Sequence, residues 1–321
     1  MKHQYEPRVL ALDDKQLEHF VKDWVASRVL EYRQWQRWGE TGDLGRDVVG
    51  YVTDNRHEGP WDNFQCKQLK KRLSLGNAFL ELGKIFKHSA DGAYSLPRRY
   101  TFVAPRGVAR GVQELVSHPE AFRTAVIQRW DELIARRLVE KTTIPLSTEI
   151  KAKIDEFDFK NIDWLDAEKL VADPYCLRVL VGWFDADPGR APRGSVPTDL
   201  QATESVYVSQ LLHIYAERSR QTFRDSSDAL SHPDHGDHFR DQRIRFFDAM
   251  EFERFYRDST PLDYVDTFKH EVYSGVIDTH RRQHKDCLGR AEHLLDSPIN
   301  VSRELRRFSP KRRRQVPGAI K

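Results

Sequence analysis

Asp47, Gln65 and Lys67 lie close together near the start of the sequence, and their chemistry is complementary. Asp47 opens a β-branched run from Asp47 to Thr53, bounded by glycine upstream and by Asp54-Asn55 downstream, which predicts a strand. A second run, Trp61 to Lys67, ends on Gln65-Cys66-Lys67. Strand side chains alternate faces, so Gln65 and Lys67 share one face and Phe64 and Cys66 the other. The polar loop from Asp54 to Pro60 is centred on His57. Antiparallel pairing about that centre brings Asp47 opposite Lys67, give or take two residues. An acid, an amide and an ammonium then converge at one end of a hairpin. That suits a divalent cation held by carboxylate and amide oxygens, with a lysine beside the attacking water. The same residues also fit a surface hairpin with solvated polar ends.

The elements around this hairpin follow from periodicity. Leu17, Phe20, Val21, Trp24 and Val25 recur at helical spacing, predicting a helix from about Asp13 to Arg37. Glu18 falls at the edge of its buried stripe, either as a further acid for the metal site or as a helix-start charge favoured by the macrodipole. Gln68 to Lys87 predicts a second helix, with Leu75, Ala78, Phe79, Leu82, Ile85 and Phe86 inward. Lys70, Lys71 and Arg72 at its start oppose the helix dipole, so a passing phosphate backbone explains them better than helix stability does. A solvated basic face is the plainer reading. A strand is predicted at Tyr100 to Ala104, flanked by Arg98 and Arg99, then a helix from about Pro119 to Val139. Asp43 sits in the glycine-rich turn and fixes it. Glu40 is a weaker candidate ligand. The order helix, strand, strand, helix, strand, helix predicts an α/β unit on a mixed sheet.

At 321 residues the chain has room for two cores. Its net charge of +3 is too small to point to nucleic acid by itself, so any such role rests on local patches. Three widely spaced cysteines make neither a zinc pattern nor a disulfide framework, and no apolar run approaches a membrane span, so a cytoplasmic protein is expected. The threonines and proline between Glu140 and Lys153 break the helical pattern. The boundary is placed there, giving domains 1–145 and 146–321, the second mainly helical with helices near Thr203–Phe223, His238–Arg257, Pro261–His280 and Gln283–Leu295. The phenylalanines of the second of these read as core. In S-H-P-D-H-G-D-H, His232, His235 and His238 have conceivable zinc spacing, but the proline and glycine make it a loop entering a helix. The tail from Arg303 to Lys321 carries eight lysines or arginines and one acid, suiting DNA backbone, an acidic partner or solvent.

A helix with Leu17-Glu18, then G-D-L-G-R-D, then Phe64-Gln65-Cys66-Lys67, then a helix, resembles the PD-(D/E)xK nuclease fold. It is most similar to the branch of Mrr-type restriction enzymes and Cap-type effector nucleases of bacterial defence. The resemblance implies a restriction-endonuclease-like N-terminal domain and double-stranded DNA as substrate. It also implies Mg²⁺ (or Mn²⁺) on Asp47, Gln65 and the Cys66 carbonyl, completed by Glu18, with Lys67 orienting water. It gives Lys70, Lys71, Arg72, Arg98 and Arg99 to the DNA. Gln65 departs from the wider fold, keeping an oxygen for the metal but removing a charge. In the second half, Y-V-S-Q-L-L-H-I-Y-A-E, H-F-R-D-Q-R-I-R-F-F-D-A-M-E and F-K-H-E-V-Y-S-G-V-I-D resemble the C-terminal domain of three-component ABC-ATPase defence proteins. Joined to such a nuclease, that is the arrangement of Lamassu anti-phage effectors. It implies an SMC/Rad50-like ATPase subunit, a third small subunit and a homo-oligomer when active. The alternatives are an Mrr-like type IV restriction enzyme and a catalytically inactive nuclease-fold scaffold.

Overall fold

A computed structural model describes residues 2–39, 42–261 and 263–296. Glu40 and the tail from Arg303 to Lys321 lie outside the described residues. The chain divides into two compact units, Met1–Ala186 and Asp187–Lys321.

The first unit runs α1 (Glu6–Leu10), α2 (Asp14–Ser27), β1 (Gln34–Arg37), β2 (Val48–Tyr51), β3 (Trp61–Cys66), α3 (Leu75–Ala90), β4 (Arg99–Val103), α4 (Arg110–Val116), α5 (Pro119–Gln128), α6 (Trp130–Leu133), α7 (Thr148–Glu156), β5 (Ile162–Leu165), α8 (Ala167–Ala172) and α9 (Cys176–Phe184). The sheet is mixed and its spatial order follows the chain, β1-β2-β3-β4-β5. The pairs β1–β2 and β2–β3 are antiparallel, and β3–β4 and β4–β5 are parallel. The parallel pairs need crossovers, which α3 and then α4–α7 supply.

Asp13 starts α2 with a capping box: Gln16 N donates to Asp13 Oδ1 at 2.8 Å, and Asp13 N donates to Gln16 Oε1 at 2.9 Å. The helix stops at Ser27 and does not run on to Arg37. Val29 and Leu30 are exposed, so the apolar stripe has ended, and Gln34–Arg37 pair with β2 instead. The short alternation Q-W-Q-R could not be separated from a helix tail by period alone. Gly50 on β2 lets this segment close down: a Cβ there would lie 2.6 Å from the Tyr32 ring. The helix expected from Pro119 to Val139 breaks at Arg129 into α5 and α6.

Strand alternation divides the first core between the two faces of the sheet. Val49, Tyr51, Trp61, Tyr100 and Phe102 face the side covered by α3, α5 and α7, packing with Phe79, Leu82, Phe86, Phe122 and Ile154. Phe64 points to the other side, where its ring meets Trp24 of α2 edge-on at 5.4 Å.

The division at 186/187 lies well beyond the 145/146 boundary expected from sequence. Ile162–Leu165 is a fifth strand on β4, and Phe157, Phe159 and Ile162 belong to the first core. The threonine–proline stretch around Thr142–Pro145 is a loop inside the unit.

The second unit is helical: α10 (Ser205–Ser219), α11 (Ser226–Ser231), α12 (Gly236–Ser259), α13 (Tyr264–Arg281) and α14 (Cys287–Asp296). Its core gathers Val208, Leu211, Tyr215, Ala229, Phe239 and Leu288. On α12 the buried positions are Gly236, Phe239, Gln242, Arg243, Tyr256 and Ser259, whereas Phe246, Phe247, Phe252 and Phe255 are only partly covered. Arg243 is buried because Glu204 takes it bidentately, at 2.8 and 2.7 Å. Among the described residues no helix is long and apolar enough to cross a membrane.

Candidate active site

The β2–β3 register pairs Val48 with Phe64. Asp47, one residue before β2, therefore stands opposite Gln65, within the two-residue tolerance of the sequence-based pairing. Asp47 is fixed from both sides of its strand. Trp38 N donates to its carbonyl at 2.8 Å, extending the pairing with β1. The preceding turn is held by Gly45 N donating to Asp43 Oδ1 at 2.8 Å, the turn-fixing role expected of Asp43. Arg46 is buried between the rings of Trp38 and Tyr94, its guanidinium carbon 4.2 and 4.4 Å from their centroids.

The Asp47 carboxylate accepts two hydrogen bonds on one oxygen, Oδ2: from Gln65 Nε2 at 2.6 Å and from the Cys66 main-chain N–H at 2.8 Å. Its other oxygen, Oδ1, is left for a further partner. Asp47, Gln65 and Cys66 are all buried, and burial pushes Asp47 up to about 7, a rise that the nearby Lys67 ammonium partly opposes. The Cys66 thiol is likewise pushed up by burial; strand alternation turns that side chain to the face opposite Gln65, and a hard cation prefers the main-chain carbonyl oxygen to sulfur. On the far side of Gln65, Tyr100 OH reaches Oε1 at 3.5 Å.

Lys67 continues β3, its N–H donating to Val103 O at 2.9 Å. Its ammonium lies 3.0 Å from Glu81 Oε1 of α3, and Glu81 is also held by Lys84 at 2.9 Å. Glu81 is a residue the sequence reading passed over. The signal was present: an acid inside the stripe Ala78, Leu82, Ile85, on the face that packs on the sheet. The same reasoning had picked out Glu18.

Glu18 comes from α2 and is turned to Arg37, which donates to Oε2 at 2.8 Å and to Gly39 O at 3.1 Å. Its charge still reaches Asp47, raising it slightly. Gly39 leaves room for this pair: a Cβ there would lie 1.9 Å from Glu18 Oε2 and 2.3 Å from Arg37 Nη1, so the ends of both side chains would have to shift. Because Glu18 is bound to Arg37, Glu18→Gln is expected to lower stability by about 1 kcal/mol or less and to leave the Mg²⁺ dependence of activity unchanged. A parallel melting curve and Mg²⁺ titration check this; a raised Mg²⁺ requirement would return Glu18 to the metal.

The basic residues divide. Lys70, Lys71 and Arg72 are exposed on the loop between Lys67 and α3 rather than on the helix itself. Arg98 and Arg99 lie at the start of β4, level with Asp62. Asp62 and Lys67 are five positions apart, about 16 Å of strand. Arg98 donates to both oxygens of Asp62, at 2.9 and 2.7 Å, and Arg99 donates to Glu31 at 2.7 Å. Lys70–Arg72 follow Lys67 by three to five residues on that exposed loop, whereas Arg98 and Arg99 are tied into ion pairs at the opposite end of β3.

The oxygens of Asp47, the Gln65 amide and the Cys66 carbonyl suit a hard cation such as Mg²⁺. The buried carboxylate, whose ionisation the protein alone opposes, fits that group. Among the described residues no three His, Cys, Asp or Glu side chains are grouped to hold a metal. That includes the histidine loop. His232 and His235 stack at 4.6 Å, and His235 stacks on Tyr215 at 4.6 Å and shares a hydrogen bond with Ser219 Oγ at 2.6 Å. These rings are packing for the second core.

Residues 204–308 match the family of C-terminal domain 6 of the ABC-three component (ABC-3C) systems. No curated protein and no solved structure matches the chain. The matched stretch takes in α10 to α14, including the Arg243 that Glu204 holds, so it is the helical unit that is similar to the C-terminal domain of an ABC-three component system.

Proposed function

We propose that the chain is a metal-dependent DNA endonuclease, acting as the effector of an anti-phage defence system of the ABC-three component type. The observation that carries the reading is the buried Asp47, opposite Gln65 and in electrostatic reach of Lys67, at one end of an antiparallel strand pair. Asp47, the Gln65 amide oxygen and the Cys66 carbonyl would hold Mg²⁺ or Mn²⁺. The cation would supply Lewis acidity at the phosphoryl oxygens of a phosphodiester.

The chain's own residues supply the rest. Asp47 brings the negative charge that makes the site attractive to a cation. Lys67 carries an ammonium that would orient the attacking water and stabilise negative charge as it develops on the phosphoryl oxygens. Lys70, Lys71 and Arg72 lie exposed just beyond, where they would take the phosphate backbone of the duplex. The helical unit, by its similarity, is the part to engage the other components, among them an ATPase subunit that restrains the nuclease and a smaller third subunit. Self-association through the same unit would set two sites on one duplex. Cleavage of supercoiled plasmid by the full chain in Mg²⁺ and in EDTA tests the reading.

A second reading is a nuclease fold kept as an inactive scaffold. Two observations favour it: the Gln65 amide nitrogen, not its oxygen, faces Asp47, and Glu18 is occupied by Arg37. Under that reading no Mg²⁺-dependent cleavage occurs and the chain still assembles with its partners.

A further inference from the structure

We infer that Glu81 is a positioning residue for Lys67, fixing its ammonium at the site by an ion pair made from α3. The inference rests on the nuclease reading for what Lys67 does, but not for the pairing itself.

Lys67 follows the last residue of β3 and extends a flexible four-carbon stem. Unheld, such a stem samples many rotamers, and a group that must meet a reacting atom loses effectiveness when it is not pre-placed. Glu81 removes that freedom. Its carboxylate is 6% exposed, while the Lys67 side chain is 24% exposed, so the pair closes over the lysine from its buried side. The carboxylate is itself anchored: Lys84, one turn further along α3, donates to both oxygens at 3.1 and 2.9 Å. The helix beneath is rigid, with Ala78, Phe79, Leu82, Ile85 and Phe86 buried around Glu81. A buried acid between two lysines is satisfied electrostatically, and this explains why an acid is retained inside an otherwise apolar stripe. Both Glu81 and Asp47 favour the charged form of Lys67. The ammonium sits between the Asp47 carboxylate at the sheet end and the Glu81 carboxylate of the helix.

The test uses the full chain with Glu81→Gln, Glu81→Ala and Glu81→Asp, each checked by melting curve. Lys67 is labelled with an amine-reactive ester and read by mass spectrometry, which needs no nuclease activity. Faster labelling of Lys67 in the Gln and Ala variants, by about threefold or more, is the expected result; labelling equal to wild type overturns the pairing. Plasmid cleavage is then expected to fall about 10- to 100-fold in turnover for Glu81→Ala, with duplex affinity unchanged and partial recovery in Glu81→Asp. Unchanged turnover in folded Glu81→Ala overturns the positioning role. If Ala unfolds the chain, the near-isosteric Gln variant carries both readouts. A wild-type chain that cleaves nothing defeats the nuclease reading and, with it, the catalytic part of the inference, while the labelling still decides the pairing.

Discussion

Replacing Lys67 with alanine is expected to lower DNA cleavage by about two to three orders of magnitude, the usual loss when a preorganised group facing developing charge is removed, while the fold survives. The main-chain bond from Lys67 N to Val103 O is kept. The acid left behind is not stranded, because Lys84 still holds Glu81 at 2.9 Å. The stability cost should therefore be about 1 kcal/mol, as for a partly exposed ion pair, and not the several kcal/mol of an isolated buried charge. Plasmid cleavage measured beside a melting curve checks both halves. A folded Lys67→Ala chain cleaving at the wild-type rate would remove Lys67 from the chemistry.

A fragment ending at Lys153 is expected not to fold, and one ending at Ala186 to melt cooperatively. The shorter piece lacks β5, so β4 becomes an open edge, which invites aggregation. It loses the bonds from Ala104 N to Leu165 O and from Ala167 N to Pro105 O, both 2.9–3.0 Å. It also loses Phe157 and Phe159, which pack on Phe86 with ring centroids 5.8 and 5.9 Å away, and Phe159 further meets Phe122 at 5.5 Å. At about 3–5 kcal/mol for each large aromatic removed from a core, two such losses alone rival the roughly 5–15 kcal/mol that holds a domain together. Circular dichroism melts of the two fragments separate the outcomes. A cooperative melt for the shorter fragment would show that β5 is dispensable.

What the sequence disclosed and what it concealed have physical reasons. The hairpin was legible because β-branched alternation and a polar loop with a clear centre fix register, and Asp47 opposite Gln65 followed within the stated tolerance. The α10, α12, α13 and α14 helices were legible from long apolar periods. Strands β1 and β5 were not: each is four residues long, too short for its period to be distinguished from a helix tail or a mixed segment. With β5 hidden, the boundary fell at a proline-bearing loop that proved internal. The roles of Arg98 and Arg99 were hidden because composition shows a basic cluster but not the acids, Asp62 and Glu31, that the sheet and the α2–β1 turn carry to it. Glu81 is legible as an acid inside the apolar stripe of α3, but helical periodicity does not show that Lys67, at the end of β3, is the base it meets.

The most direct measurement compares wild type with Asp47→Asn on supercoiled plasmid across a Mg²⁺ titration, with melting curves at each point. Asparagine keeps one oxygen to accept from Gln65 and Cys66, but removes the charge and puts an amide nitrogen in place of the second oxygen. Burial raises Asp47 to about 7. Without metal its contribution to stability is full below the ordinary carboxylate range near 4 and is lost as the pH rises through about 7. At pH 8 without metal, the Asn variant should therefore melt no lower than wild type. Added Mg²⁺ should raise the melting temperature of wild type alone, by binding only the folded state. The account predicts Mg²⁺-dependent cleavage by wild type, abolished by EDTA, and none above background for the variant. No cleavage by wild type at any Mg²⁺ concentration, or equal cleavage by the Asn variant, would contradict it.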